Sequence, residues 1–272
     1  MKKAIILLFI VSAMIAASAK ELYRDSQVTV SELKPGVAVM ETWDNTTMYL
    51  VEGSERALLI DTGTKCDSLS SIVSFLTDKP VDVVITHLHP DHAGCAGQFE
   101  SFYMHPADSV MLGEYNFNNT IHYIGDGHKF DLGGGTLLEA LLMPGHTPGS
   151  IVLLNRANGD CFTGDAFGSG GVWMQLEPHV PMVSYLGSCH RMLQLMEDGI
   201  ATHLWVGHYP YTKRSFGKEY MEKMTRLATR LSNNDESGSK EYTLPPSLHN
   251  LGKARFIVEN GVSIVYNSEK IN

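Results

Sequence analysis

The run Val81-Asp82-Val83-Val84-Ile85-Thr86 passes without a break into His87-Leu88-His89-Pro90-Asp91-His92, and this junction constrains the chain more than any other feature. A short β-branched apolar segment reads as a strand. Side chains alternate along extended backbone, so His87 and His89 lie on one side and can converge on one ion. Asp91 and His92 begin the next turn and can face a second. Imidazole nitrogen and carboxylate oxygen are both good zinc ligands. A single histidine is more often an ordinary core or surface residue, but three histidines and an aspartate within six positions read as a metal site.

Three more residues have contexts that suit ligands. His146 sits in the turn Pro144-Gly145-His146-Thr147-Pro148-Gly149, Asp165 ends Phe162-Thr163-Gly164-Asp165, and His208 ends Leu204-Trp205-Val206-Gly207-His208. Each follows an apolar strand or occupies a tight glycine turn, where a rigid scaffold presents side chains from loops.

Composition bounds the rest. With 272 residues, 43% hydrophobic and 19% charged, the chain suits a globular protein and not a disordered one. Its net charge of −9, with no long basic run, argues against holding nucleic acid by counterion release. Lys2 and Lys3, the apolar run Ala4 to Ala17 and the small-residue pattern Ala17-Ser18-Ala19 read as a signal peptide over residues 1–19. An uncleaved N-terminal anchor is the alternative, although the run is shorter than the ~20 apolar residues that span a bilayer. Removing Lys2 and Lys3 with the signal changes the charge from −9 to −11. The expectation is an exported protein, periplasmic or secreted, with one domain over residues 20–272 and no membrane attachment once the signal is gone. Cys66, Cys95, Cys161 and Cys189 match no zinc-thiolate spacing. They read as core residues or free thiols, and three pairings remain open should all four form disulfides.

Along the chain, strands are expected at Val37 to Glu41, Thr47 to Glu52 and Arg56 to Asp61, the last two joined by a turn at Gly53-Ser54. Helices are expected at Asp67 to Leu76, with Asp67 as N-cap, and at Ala93 to Phe99, Pro106 to Leu112, Met182 to Met196 and Lys218 to Leu231. Thr136 to Met143 and Leu204 to Val206 read as strands. Ile151 to Leu154 and Cys161 to Thr163 flank an Asn158-Gly159 hairpin turn, and Arg255 to Val258 and Val262 to Tyr266 flank Asn260-Gly261. Ser232 to Lys240 reads as a surface loop. Strand runs interspersed with helices give a layered α/β architecture with mixed sheets.

The histidine motif, the order of His146, Asp165 and His208, and Leu59-Ile60-Asp61-Thr62-Gly63 together resemble the metallo-β-lactamase superfamily from about Val37 to His208. The resemblance implies an αββα sandwich of two mixed β-sheets flanked by helices, with a metal site at one edge. It also implies that His87, His89 and His146 hold one metal, that Asp91, His92 and His208 hold the second, and that Asp165 bridges them. Two zinc ions are expected, though iron or manganese suits the same ligands. Zinc lowers the pKa of bound water towards ~7, so the implied catalyst is a bridging hydroxide, with Asp91 relaying a proton. Two ions at +4, two carboxylates and one hydroxide leave +1, which suits a developing oxyanion. Asp61 reads as a structural acceptor behind the ligands.

Departures from related patterns narrow the substrate. True metallo-β-lactamases usually carry Cys or Ser where this chain has Asp165, and the diiron flavoprotein branch has Glu where it has His89. Lactonases and hydrolases of the glyoxalase II type share the bridging Asp, but glutathione-thioester hydrolases typically have Glu-Tyr-Thr after the last His. Here Tyr209-Pro210-Tyr211-Thr212 follows. The expected reaction is hydrolysis of an ester, lactone or related carboxylic bond of a small molecule. A β-lactamase, a phosphodiesterase, an iron-dependent sulfur dioxygenase and a non-enzymatic metal-binding module are the alternatives. Ala166 to Pro181 is the expected specificity segment, and Trp173, His179, Tyr185 and Tyr209 are candidate substrate contacts.

Overall fold

Short turns between apolar runs set the course of the first part of the chain. In a computed structural model describing residues 20–244 and 253–272, strands β1 (Glu21–Arg24), β2 (Val28–Lys34), β3 (Val37–Thr42), β4 (Thr47–Glu52) and β5 (Ala57–Ile60) form an antiparallel meander. Helix α1 (Leu69–Leu76) then carries the chain to β6 (Val81–Val84), which runs parallel to β5. The short helix α2 (Pro90–Ala93) precedes β7 (Ser101–Met104), and β8 (Thr120–Tyr123) completes an eight-stranded sheet ordered as in the sequence. Period-two alternation sorts its side chains. Ala57 and Leu59 face the helical layer, whereas Leu58 and Ile60 face a second sheet.

That second sheet contains β9 (Lys129–Asp131), β10 (Leu137–Leu142), β11 (Ile151–Asn155) and β12 (Asp160–Gly164). After β13 (Gly171–Trp173) and helix α3 (Met182–Glu197), strand β14 (His203–Val206) joins its edge parallel to β12. Phe130, Leu138, Leu153 and Phe162 meet Val39, Tyr49 and Val84 of the first sheet in the central core. The Tyr49 hydroxyl crosses between the sheets to donate to the carbonyl of Val206 at 2.8 Å. On the far side α3 packs against helix α4 (Lys218–Ser232). Tyr220, Met221, Met224, Leu227, Ala228 and Leu231 of α4 recur at helical spacing and are buried, as an amphipathic helix requires. The layers are therefore helix, sheet, sheet, helix.

A third sheet adds to the expected pair. Strands β15 (Lys240–Glu241), β16 (Ala254–Glu259) and β17 (Val262–Asn267) join β13 in the order β13-β17-β16-β15. The β16–β17 hairpin turns at Asn260-Gly261, both at positive φ. Other differences have local causes. The helix expected at Ala93 to Phe99 divides into α2, with Pro90 in its first turn, and a 3-10 turn at Ala96–Gln98. Proline lacks an N–H and has a pre-set φ, so it starts a helix well. Pro106–Glu114 is a 3-10 helix. Asp67 does not cap α1, whose N-cap is Ser68; its carboxylate accepts from Gln27 Nε2 instead. All four cysteines are buried and free. Among the described residues no helix is long and apolar enough to cross a membrane, and the expected signal segment, residues 1–19, lies outside the described residues.

Phe162 is 1% exposed in the inter-sheet core and packs on Tyr49 with ring centroids 5.0 Å apart. Phe162→Ala is expected to lower the unfolding free energy by about 3–5 kcal/mol, read from denaturant midpoints. A loss below about 1 kcal/mol would mean that this core is not close-packed.

Candidate metal centre

Strands β5, β6, β12 and β14 deliver Asp61, His87, Asp165 and His208 shortly after their carboxyl ends, and the β10–β11 turn delivers His146. His89 is the N-cap of α2, and Asp91 and His92 lie in its single turn. All seven expected ligands come together. Donor atoms of His87, His89 and His146 lie within 4.8 Å of one another, as do those of His92, Asp165 and His208 and those of His87, Asp91 and His92. His89 Nδ1 approaches His146 Nε2 to 2.9 Å. Asp165 stands between the groups, with Oδ2 3.8 Å from His146 Nε2 and 3.2 Å from His208 Nε2, and Oδ1 3.7 Å from His92 Nε2. Asp91 Oδ2 lies 3.6 Å from His92 Nε2 and 3.5 Å from His208 Nε2.

Four imidazoles are held through Nδ1. Thr86 Oγ1 lies 3.1 Å from that of His87, Asp61 Oδ2 2.9 Å from that of His92, the Trp173 carbonyl 2.7 Å from that of His146 and the Asn45 carbonyl 3.1 Å from that of His208. An Nδ1 that donates leaves a lone pair on Nε2. Among the described residues His87 Nε2, His92 Nε2 and Asp165 Oδ1 are buried with no hydrogen-bond partner. Buried polar atoms are normally satisfied; His87 Nε2 and Asp165 Oδ1, with His92 Nε2 once its ring is neutral, fit divalent cations. The donor set, imidazole with carboxylate, matches zinc chemistry.

The titration behaviour divides the cluster. Burial, reinforced by neighbouring imidazoles, pushes His87 well below its ordinary value and His89 down to about 2. Burial also opposes the charged form of His92, but Asp91, Asp165 and Asp61 override it and raise the ring to about 10. His208 is raised against burial, chiefly by Asp165. The Asp165 carboxyl is held well below its ordinary value by His208 and His92, again against burial.

Two buried carboxylates stand behind the ligands. Asp61, expected as a structural acceptor, receives the Thr86 N–H at 2.7 Å, the Thr86 hydroxyl at 2.8 Å and the His92 ring. Asp108 was not signalled by the sequence, because it lies in a 3-10 helix with no spacing relation to any histidine. It accepts from the backbone N–H of Leu88 and Gly149 and from the Thr147 hydroxyl. Burial raises its carboxyl above the ordinary range, with the three donors pulling the other way.

A cavity of about 640 Å³ opens over the centre, lined by His89, Asp91, His146, Asp165 and His208 and walled by Met111, Trp173, Leu176 and Tyr211. Of the four candidate substrate contacts, only Trp173 lines it. Tyr185 is fully buried on α3, where its ring lies against the position of a Gly145 Cβ; it supports the His146 turn out of substrate's reach. Tyr209 packs on Trp205 with Lys213 over its ring, and His179 lies outside the lining. Tyr211, two residues on, faces the cavity and stacks on His208.

The geometry agrees with comparison to known proteins. The sequence model of the metallo-beta-lactamase superfamily matches residues 42–208. The chain belongs to this superfamily. Among its relatives is the acyl-coenzyme A thioesterase MBLAC2 of Homo sapiens, 26% identical over 232 residues that cover 70% of this chain and 79% of that protein. The atrochrysone carboxyl ACP thioesterase of Aspergillus terreus is 29% identical over 145 residues, 49% of this chain and 44% of that protein. The mono-zinc crystal structure of the metallo-β-lactamase FIM-1 from Pseudomonas aeruginosa superposes with TM-score 0.58 at 19% identity, covering 77% of this chain and 98% of that one. At that identity the likeness shows the shared fold.

A Cβ at Gly207 would lie 2.4 Å from Asp165 Oδ1 and 2.7 Å from His92 Cε1. Gly207→Ala is therefore expected to reduce bound metal while leaving the far-ultraviolet circular dichroism unchanged; wild-type metal content would contradict the packing. Metal binding is also expected to release protons. A ligating imidazole must be neutral, whereas His92, raised to about 10, is protonated at pH 7. Zinc affinity should thus increase with pH towards about 10, and zinc titration calorimetry in buffers of different ionisation heat should show proton release. A pH-independent affinity with no release would contradict the charge assignment.

Proposed function

We propose that the chain is an exported, dinuclear zinc hydrolase that cleaves an acyl bond of the ester class (ester, thioester or lactone) in a small molecule. One observation carries this reading: Asp165 stands between an imidazole group on one side and His92 and His208 on the other, with buried acceptor atoms lacking protein partners. Zinc held there would polarise a carbonyl oxygen and lower the pKa of water towards ~7.

The chain's own residues supply the rest. Asp91 is the more open of the two site carboxylates, its side chain 37% exposed against 14% for Asp165. It is placed to take up a proton at Oδ2 and pass it to the departing group. Met111, Trp173, Leu176 and Tyr211 form an apolar wall that holds the acyl portion and excludes water. Among the described residues no lysine or arginine lines the cavity, which favours an uncharged acyl group over a substrate recognised through phosphates. Relatives named as acyl thioesterases support the carboxylic bond class. The net charge of −9 favours a small molecule over nucleic acid, and the signal-like residues 1–19 support export.

The test is turnover of zinc-loaded protein on acyl esters, acyl thioesters and lactones, with β-lactams and phosphodiesters as contrasts. Turnover should be confined to the acyl panel. Asp165→Asn should reduce it by more than about 100-fold, beyond the 10–100-fold usual for residues one layer further out. A preference for phosphodiesters, or full activity in the variant, would overturn the reading.

A further inference from the structure

We infer, building on the two-ion reading above, that Asp108 is the positioning residue that fixes the first ion's site by joining the two loops that carry His87, His89 and His146. These ligands come from separate parts of the chain: His87 and His89 flank Leu88 after β6, and His146 lies in the β10–β11 turn. Nothing covalent sets the distance between those segments. Asp108 Oδ2 receives the Leu88 N–H at 3.0 Å, from the residue between the first two histidines. The same oxygen receives the Thr147 hydroxyl at 2.9 Å, one residue past His146, and Oδ1 receives the Gly149 N–H at 2.6 Å. The Thr147 hydroxyl also meets Ser150 Oγ at 2.8 Å, and Ser150 Oγ accepts the Thr147 N–H at 3.1 Å. The turn is thus bonded internally as well as to Asp108.

The carboxylate is 1% exposed, and in a low-dielectric setting bonds to a charged acceptor are strong and directional. Gly149 fits the same clamp, because a Cβ there would lie 2.7 Å from the Asp108 carboxylate. The second group is anchored elsewhere. His92 is bonded to Asp61, the His208 ring to the Asn45 carbonyl, and the His208 backbone N–H donates to Ser169 Oγ. Asp108 touches none of these, so its loss should act on one ion site and spare the other, unlike a general loss of packing.

The experiment is zinc titration of the full chain against a chromophoric chelator, for wild type, Asp108→Asn and Thr147→Val. Ring-nitrogen magnetic resonance identifies which histidines bind at each equivalent. Asp108→Asn should weaken one zinc site by about 10–100-fold, the range for a residue behind a ligand, with the lost signals those of His87, His89 and His146. Thr147→Val retains the bonds to Leu88 and Gly149 and should weaken the same site by a smaller factor. It carries the test should Asp108→Asn not fold. Unchanged affinity in the variants, or an equal fall at both sites, overturns the role of Asp108 and leaves the two-ion reading intact. Wild-type protein that binds fewer than two zinc ions overturns both.

Discussion

The structure depends on burying imidazole nitrogens and a carboxylate with their inner nitrogen and oxygen atoms turned towards one another. Leaving such groups unsatisfied in a protein interior costs several kcal/mol each, and a rearrangement of a few ångströms would let them find partners. The fold prevents it from outside. Thr86, Asp61, Asn45 and the Trp173 carbonyl engage the outer nitrogens of four rings. Among the described residues the inner nitrogens of His87 and His92 therefore make no hydrogen bond, and that of His92 faces Asp91 and Asp165 at 3.6 and 3.7 Å. Rigidity behind the ligands, more than the ligands themselves, creates an environment that favours a cation.

Topology supplies that rigidity. The parallel pairs β5–β6 and β12–β14 end at a common edge, and Tyr49 joins the two sheets there through the Val206 carbonyl. The third sheet contributes from further away. The family match ends at residue 208, yet β17, beyond it, pairs with β13, whose last residue, Trp173, holds His146. The Met174 N–H on the Val265 carbonyl extends the same connection. The C-terminal hairpin is therefore structurally connected to the candidate metal centre.

Much of this was legible in the sequence because the information is local. His87, His89, Asp91 and His92 lie within six residues. The expected strand stops at Val84 and the first two histidines lie in the irregular stretch before α2, but so short a segment still gathers them. His146, Asp165 and His208 stand in glycine turns or after apolar runs, but it is the first motif and the family resemblance it carries that mark them as ligands. Asp61 was readable from its place at a strand end. What was missed depends on distant neighbours. Asp108 acquires its role only when the Pro106–Glu114 segment meets two loops far along the chain. Tyr185 and Tyr209 look like substrate contacts until α3 turns one into the core and the turn after β14 turns the other away, presenting Tyr211 in its place. Strands β1, β7, β8 and β13 are short or largely polar, and β8 is mostly exposed, so hydrophobic alternation gives them little signal.

The cavity wall and the ligand supports are made from the same pieces of chain. The 3-10 helix that places Asp108 behind the first group also places Met111 in the wall. Trp173 lines the cavity and gives its carbonyl to His146, while its ring packs on Tyr242. Tyr211 lines the opening and stacks on His208, centroids 5.7 Å apart. A close-packed interior transmits displacement through contacts rather than absorbing it. A change in the size or shape of this wall therefore also moves a ligand, and the pocket cannot be remodelled independently of the metal geometry. Cavity shape and the placement of the candidate ligands are in this way a single structural property, shared among three segments that lie far apart in sequence.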